Sequence, residues 1–308
     1  VNRPIPRRLD QASLRELRWP SLREVLRHPV EVAAERPEPR ELHRRWVAQT
    51  WQAGDIDLTA DRRHWRRSLP ERTRADLRAL LPRLNLGEPT SIESLRPILV
   101  AAPDADALLY LGTQLVDEVR HRQFALRVAA ELCDLPEPAP GWPAMRELQA
   151  ELSGELLRHP ADYRRWLRAV TLFHLVQQGV LALSGQLALV TLLGDMPGLP
   201  GVRTAFAAIT RDRSRHLAFG LHALRQGVLE GHAGDIGEVV ALAAAPGIAA
   251  VFGEAHPHAR LAWRRLAWLL REIGLPERSG RDRLIPAGAG AHGASTIRPR
   301  KPPAASLV

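Results

Sequence analysis

Cys133 is the only cysteine among 308 residues. That excludes an intramolecular disulfide framework and a thiolate metal cluster. Lysine is as scarce. Lys301 stands alone, so 42 of the 43 basic residues (43 less one) are arginine. Such a bias points to genome composition more than to a chosen partner. The arginines are also spread along the chain among acids, so nucleic-acid binding is not indicated despite a net charge of +9. No run approaches the ~20 uninterrupted apolar residues of a membrane span. The longest apolar stretch, residues 180–193, is broken by Ser184, Gly185 and Gln186 and reads as a buried helix. The start of the chain lacks the apolar core of a signal peptide. The expectation is a cytoplasmic protein without a membrane span. Alternating strand patterns and hairpin dipeptides between β-branched runs are missing too, which argues against a sheet.

What is present is a chain that can bury a core, with 45% hydrophobic and 25% charged residues. Residues 1–39 are rich in Pro and Arg and read as an N-terminal arm, with a short helix at 21–27. Residues 40–274 form the helical domain, and 275–308 read as a disordered tail rich in Pro, Gly and Arg. Helices are expected from 39 or 41 to 52 and from a Thr59 N-cap to about 67. The next opens around Ser68 to Pro70, with kinks or a break at Pro82 and Pro89. Longer ones follow at about 104–133, 144–158, 160–193 and 202–230. One or two more cover 236–273, broken at Pro246-Gly247. The fold class is all-α, a bundle of long antiparallel helices with flanking helices.

The chain centres on Asp117-Glu118-Val119-Arg120-His121. Glu118 and His121 are three residues apart, so a helix projects both from one face. A carboxylate and an imidazole can then meet one metal ion. An altered copy, Asp212-Arg213-Ser214-Arg215-His216, keeps the histidine and carries arginine in place of glutamate. Helical bundles hold two metals with one Glu from each of two helices and a Glu-x-x-His from each of two others. Candidate positions fall in that order: Glu88, then Glu118 with His121, then Gln178, then Arg213 with His216.

Several stretches together resemble a known family. They are Gln49-Thr50-Trp51 with Asp55-Ile56-Asp57, Gly87-Glu88 with Pro97, TQLVDEVRH (113–121), HLVQQGVLALSGQ (174–186) and RDRSRHLAFG (211–220). The chain resembles the ferritin-like superfamily over residues 45–230. Within it, the likeness is to the branch of the class I ribonucleotide reductase small subunit, above all the ligand-binding oxidases related to it. The resemblance implies Glu88, Glu118, His121 and His216 as metal ligands and Asp212 as the acid that orients an imidazole from behind. Gln178 and Arg213 stand where the family has glutamates. Ala125 replaces the radical tyrosine of the reductase, and only Tyr110 and Tyr163 remain, so a reductase role is rejected. Phe173 and Ser91 replace the tyrosine and valine that cross-link in the oxidases.

Charge then limits the metal. Glu88, Glu118 and Arg213 sum to −1, and two divalent ions would leave +3. An ion about 4 Å from Arg213 is repelled by roughly 8 kcal/mol at an effective dielectric of about 20. One Fe or Mn ion held by Glu88, Glu118 and His121 is therefore expected, or none, with the Arg213 guanidinium in its place. Glu93 competes with Glu88 for its role. Gln178 is a neutral ligand or a buried hydrogen-bonded amide. Asp212 and His216 chelate together or form a structural pair. Trp46, Trp51, Trp65, Trp142 and Trp166 read as core and loop anchors, and Cys133 as an inert buried thiol. Two functions compete: an oxidase or oxygenase on a small apolar or lipid-like molecule, and a metal-free binding or scaffold descendant, perhaps partnering an intact relative. A homodimer or heterodimer is expected.

Overall fold

The computed structural model describes residues 22–80, 89–133, 143–187, 198–253 and 257–275. Those residues form eleven α-helices and no strand. The all-α bundle is as expected, and Glu88, Pro82, Trp142 and residues 276–308 lie outside the described residues.

Four flanking helices come first: α1 (Leu22–Ala34), α2 (Pro39–Gln49), α3 (Thr59–Arg67) and α4 (Glu71–Leu80). The expected short helix near residue 21 is longer, running to Ala34 with Pro29 inside. It lies along α9 (Pro200–Leu229). Thr59 is not the cap of α3. It is the first helical residue, and Asp57 Oδ1 accepts its N–H at 2.9 Å. Pro89 opens α5 (Pro89–Val100) instead of kinking it, because proline's missing N–H costs nothing in a first turn.

The bundle proper consists of α5, α6 (Ala105–Val128), α7 (Pro143–Arg158), α8 (Tyr163–Val170), α9, α10 (Ala233–Phe252) and α11 (Pro257–Glu272). Asp104 caps α6 by accepting from Ala107 N, and Asp162 caps α8 by accepting from Arg165 N. Each of these helices continues as a π-helix, α6 through Ala129–Cys133 and α8 through Thr171–Ala182. The cap of α9 comes from another helix. Asp61 of α3 accepts the N–H groups of Gly201 and Val202, both at 2.9 Å, so a buried carboxylate sits on the positive end of α9.

The expected break at Pro246-Gly247 does not occur. α10 runs through it and ends at Gly253, where φ is 72°. Pro246 lies on the exposed side, so the carbonyl that loses its partner can face water, while Gly247 packs against Met145 and Leu181. Leu275 is buried and bonds back to Leu270 O, so the helical domain reaches it. α10 is apolar and long enough to span a membrane by length and composition alone, but 44% of that stretch is buried inside the bundle.

Two apolar clusters flank the centre of the molecule. The larger joins α5 to α11, from Leu95 and Ile98 through Phe173 and Val176 to Leu266 and Leu269. The smaller gathers Trp51, Trp65, Phe124, Phe206 and Ile209 near the start of α9. Between them lies a buried polar layer contributed by α6, α8 and α9.

Candidate metal centre

That layer is built from the two related motifs on α6 and α9. Asp117, Glu118 and His121 are buried on α6, and Asp212, Arg213 and His216 are buried on α9. Their hydrogen bonds cross between the helices. His121 Nε2 donates to Asp212 Oδ2 at 2.9 Å, and His216 Nε2 donates to Asp117 Oδ2 at 3.0 Å. Asp212 and His216 therefore do not pair with each other. On one helix the aspartate sits four residues before its histidine, and each aspartate finds the facing helix's imidazole instead.

Both aspartates are held further by an indole and by two arginines. Trp51 Nε1 donates to Asp212 at 2.9 Å, and Trp46 Nε1 to Asp117 at 2.8 Å. Arg120 and Arg215, at matching places in the two motifs, each contact both aspartates. Arg120 also stacks over the Trp51 ring, 4.9 Å from its centroid. Two negative and two positive charges balance in a dry space, which makes their burial tolerable. In sequence these indoles read as core and loop anchors, and their hydrogen bonds to the aspartates go beyond that. The repeated spacing D-x-x-R-H was the signal for this network, since it puts an acid, a base and an imidazole at equal positions in both helices.

With Nε2 of each imidazole committed to an aspartate, Nδ1 of each turns to Glu118. His216 Nδ1 is 3.4 Å from Glu118 Oε1, and His121 Nδ1 is 4.0 Å from Glu118 Oε2. Gln178, on the π-helical part of α8, donates to Glu118 Oε1 at 2.9 Å. One turn away, His174 Nε2 donates to Gln114 Oε1 at 2.9 Å, a second rung between the same helices. Glu118 Oε2, His121 Nδ1, His216 Nδ1 and Gln178 Oε1 are buried without a hydrogen-bond partner. Glu93 is exposed on α5 and takes no part. Among the described residues no three His, Cys, Asp or Glu side chains converge as a ready metal site.

Electrostatics divide the centre. Burial alone would favour a neutral Glu118, but the neighbouring His216, His121 and Arg213 together hold its carboxyl below the usual range. Burial depresses His121 more than Asp212 restores it, so this imidazole is neutral. For His216 burial is outweighed by Asp117 and Glu118, and its pKa is raised. Arg213 is fully buried; burial brings it down to about 10, opposed by Glu118 and Asp212. His174 is pushed down to about 3, chiefly by burial and then by His216. Tyr110 is buried against Phe219, and Phe173 and Ser91 are buried as well.

No protein-family model matches the chain. Solved structures do. An R2-like ligand-binding oxidase from Sulfolobus acidocaldarius aligns at 18% identity and a TM-score of 0.63, over 79% of this chain and 93% of that one. A variant of an R2-like ligand-binding oxidase with an aerobically reconstituted Mn/Fe cofactor aligns at 19% identity and 0.62, over 77% and 85%. Another, with the cofactor reconstituted anaerobically, aligns at 17% and 0.62, over 78% and 93%. By its fold, this chain is an all-α ferritin-like bundle with the architecture of the R2-like ligand-binding oxidases.

Proposed function

We propose that this protein carries an asymmetric descendant of a two-metal centre. It holds at most one Fe or Mn ion and acts as an oxidase or oxygenase on a small apolar or lipid-like molecule. One observation carries the reading. Glu118 Oε2 and His121 Nδ1 are buried, unpartnered and 4.0 Å apart, with the far nitrogen of the imidazole fixed by Asp212. A carboxylate oxygen and an imidazole lone pair facing one point are what a divalent ion requires. Glu118 and His121 would hold the ion, with Glu88 as the third ligand. Gln178 Oε1 is a neutral donor within the same layer.

A bound ion would supply the redox chemistry with O₂ that no side chain here supplies. The chain does the rest. Asp212 keeps a proton on Nε2 of His121, leaving Nδ1 open. Asp117 holds His216 in place through its Nε2. Arg120 and Arg215 balance the aspartates so that neither competes for the ion. The apolar walls from α5, α8 and α11 exclude water.

The second reading, a metal-free binding or scaffold protein, rests on Gln178 and Arg213. The amide proton of Gln178 already satisfies one oxygen of Glu118, and the buried Arg213 charge already opposes Glu118. Anaerobic loading with Fe(II) or Mn(II), metal counting per chain and then exposure to O₂ separate the two. One ion with an oxygen-dependent absorption band supports the oxidase. No ion leaves the scaffold.

The partner in either case is proposed to be a second copy of this chain. Leu108, Leu109, Val116 and Val119 form an exposed apolar stripe on α6, with Gly112 at its middle facing open space. An antiparallel two-fold pairing would match apolar centre to apolar centre. A cytoplasmic location remains part of this proposal.

A further inference from the structure

Four arginines are buried among the described residues: Arg120, Arg213, Arg215 and Arg265. The first three lie with the carboxylates of the centre. Arg265 does not. It occupies a core-facing position on α11, in the buried stripe Ala259, Ala262, Leu266, Leu269 and Leu270. Its Nε and Nη2 have no hydrogen-bond partner. Burial brings its guanidinium down to about 10, and among the described residues no charged neighbour opposes that shift.

Three contacts place it. Leu269 packs on Gly179 of α8, Gly274 lies against Val228, and Gly227 of α9 lies against Leu167 at the start of α8. The end of α11 is thus near the start of α8, and α11 runs back along it. Arg265, one turn before Leu269, falls toward the helical residues 183–187 that follow Ala182 and carry Ser184 and Gln186. Gln186 is fully buried with both amide atoms unpartnered, and Ser184 Oγ is unpartnered as well. A buried cation without a counter-charge is costly, and so is a buried amide without partners. Both costs fall together if an anion binds between them.

We propose that Arg265 anchors an anion site under α11 that takes a singly charged carboxylate, with the Gln186 amide, in the helical residues that follow Ala182, as its neutral donor. One guanidinium calls for one negative charge. Its planar fork matches a carboxylate's two oxygens. The leucine and alanine side chains of the α11 stripe suit an acid with a short apolar body. Arg265 is 8% exposed, so the site touches solvent. The site is independent of the metal centre.

The test uses the full-length, metal-free protein, so its outcome does not depend on ion content. Thermal unfolding and titration calorimetry follow addition of sodium butyrate, 1-butanol or inorganic phosphate at constant ionic strength. Butyrate at a hundredfold excess over Kd is expected to raise Tm by about 5 °C, with butanol inert and phosphate weaker. Arg265→Met should abolish the response while raising the Tm of the unliganded protein, because an uncompensated buried charge is gone. Arg265→Lys, which keeps the charge and loses the fork, should retain a weakened response and covers the case in which the methionine variant fails to fold. No butyrate response in the wild type, or an equal response in Arg265→Met, would overturn the site. Stronger binding of phosphate than of butyrate would overturn the carboxylate assignment.

Discussion

Asp117 and Asp212 each tie an indole, an imidazole and two guanidinium groups together across the gap between α6 and α9. Replacing either by asparagine keeps the shape and removes one charge from a balanced buried set. Asp212→Asn and Asp117→Asn are each expected to destabilise the protein by about 3 kcal/mol in urea unfolding. Similar costs for the two follow from their matching partners; a loss under about 0.5 kcal/mol for either would contradict the crossed network. His174 supplies a pH dependence. Its ordinary value is 6.5 and its folded value about 3. Between these the unfolded chain binds one more proton, so stability falls as pH drops from about 6.5 toward 3, by up to ~1.4 kcal/mol per pH unit. His174→Gln should flatten that slope in unfolding measured from pH 7 to 4. The sequence disclosed Glu118, His121, Asp212 and His216 because their spacing is local to one helix. It could not disclose that Asp212 serves His121 and Asp117 serves His216, since that depends on how two helices face each other.

At the scale of the element, close approach of α8 and α9 is set by Gly220. A Cβ there would stand 2.3 Å from the Cβ of His174, and neither backbone-linked atom can swing aside. Gly220→Ala is expected to cost about 3 kcal/mol, the upper end for overpacking. Gly112→Ala faces nothing within 4 Å and should instead stabilise α6 by about 0.5–1 kcal/mol through helix propensity. Thermal unfolding of the two variants should move in opposite directions. Helix order and most helix ends were legible within a few residues, because apolar spacing is a local signal; the caps at Asp162 and Pro200 were not, and those helices start at Tyr163 and Pro200 instead of 160 and 202. The π-helical run at Thr171–Ala182 was not, and it rotates Gln178 relative to an ordinary α-helix. Nor was the uninterrupted α10. Proline rules alone favour a break at Pro246, and only the exposed side on which it falls lets the helix continue.

The whole molecule joins a covered centre to an uncovered α6 face. If that face pairs two copies, Val116→Glu should convert a dimer to a monomer in sedimentation velocity while leaving helical content unchanged. A wild type that sediments as a monomer at every concentration would contradict the pairing. In the proposed function the centre's charge asymmetry decides how many ions bind, and it is a whole-site property, since Glu118, Gln178 and Arg213 come from three different helices. Substituting Gln178→Glu together with Arg213→Glu restores two carboxylates and removes the buried cation. The most direct measurement is therefore metal stoichiometry after anaerobic loading with Fe(II) or Mn(II), on the wild type and on this double variant. The expected result is at most one ion per chain in the wild type and two in the variant. Two ions per chain in the wild type would contradict the asymmetric centre outright.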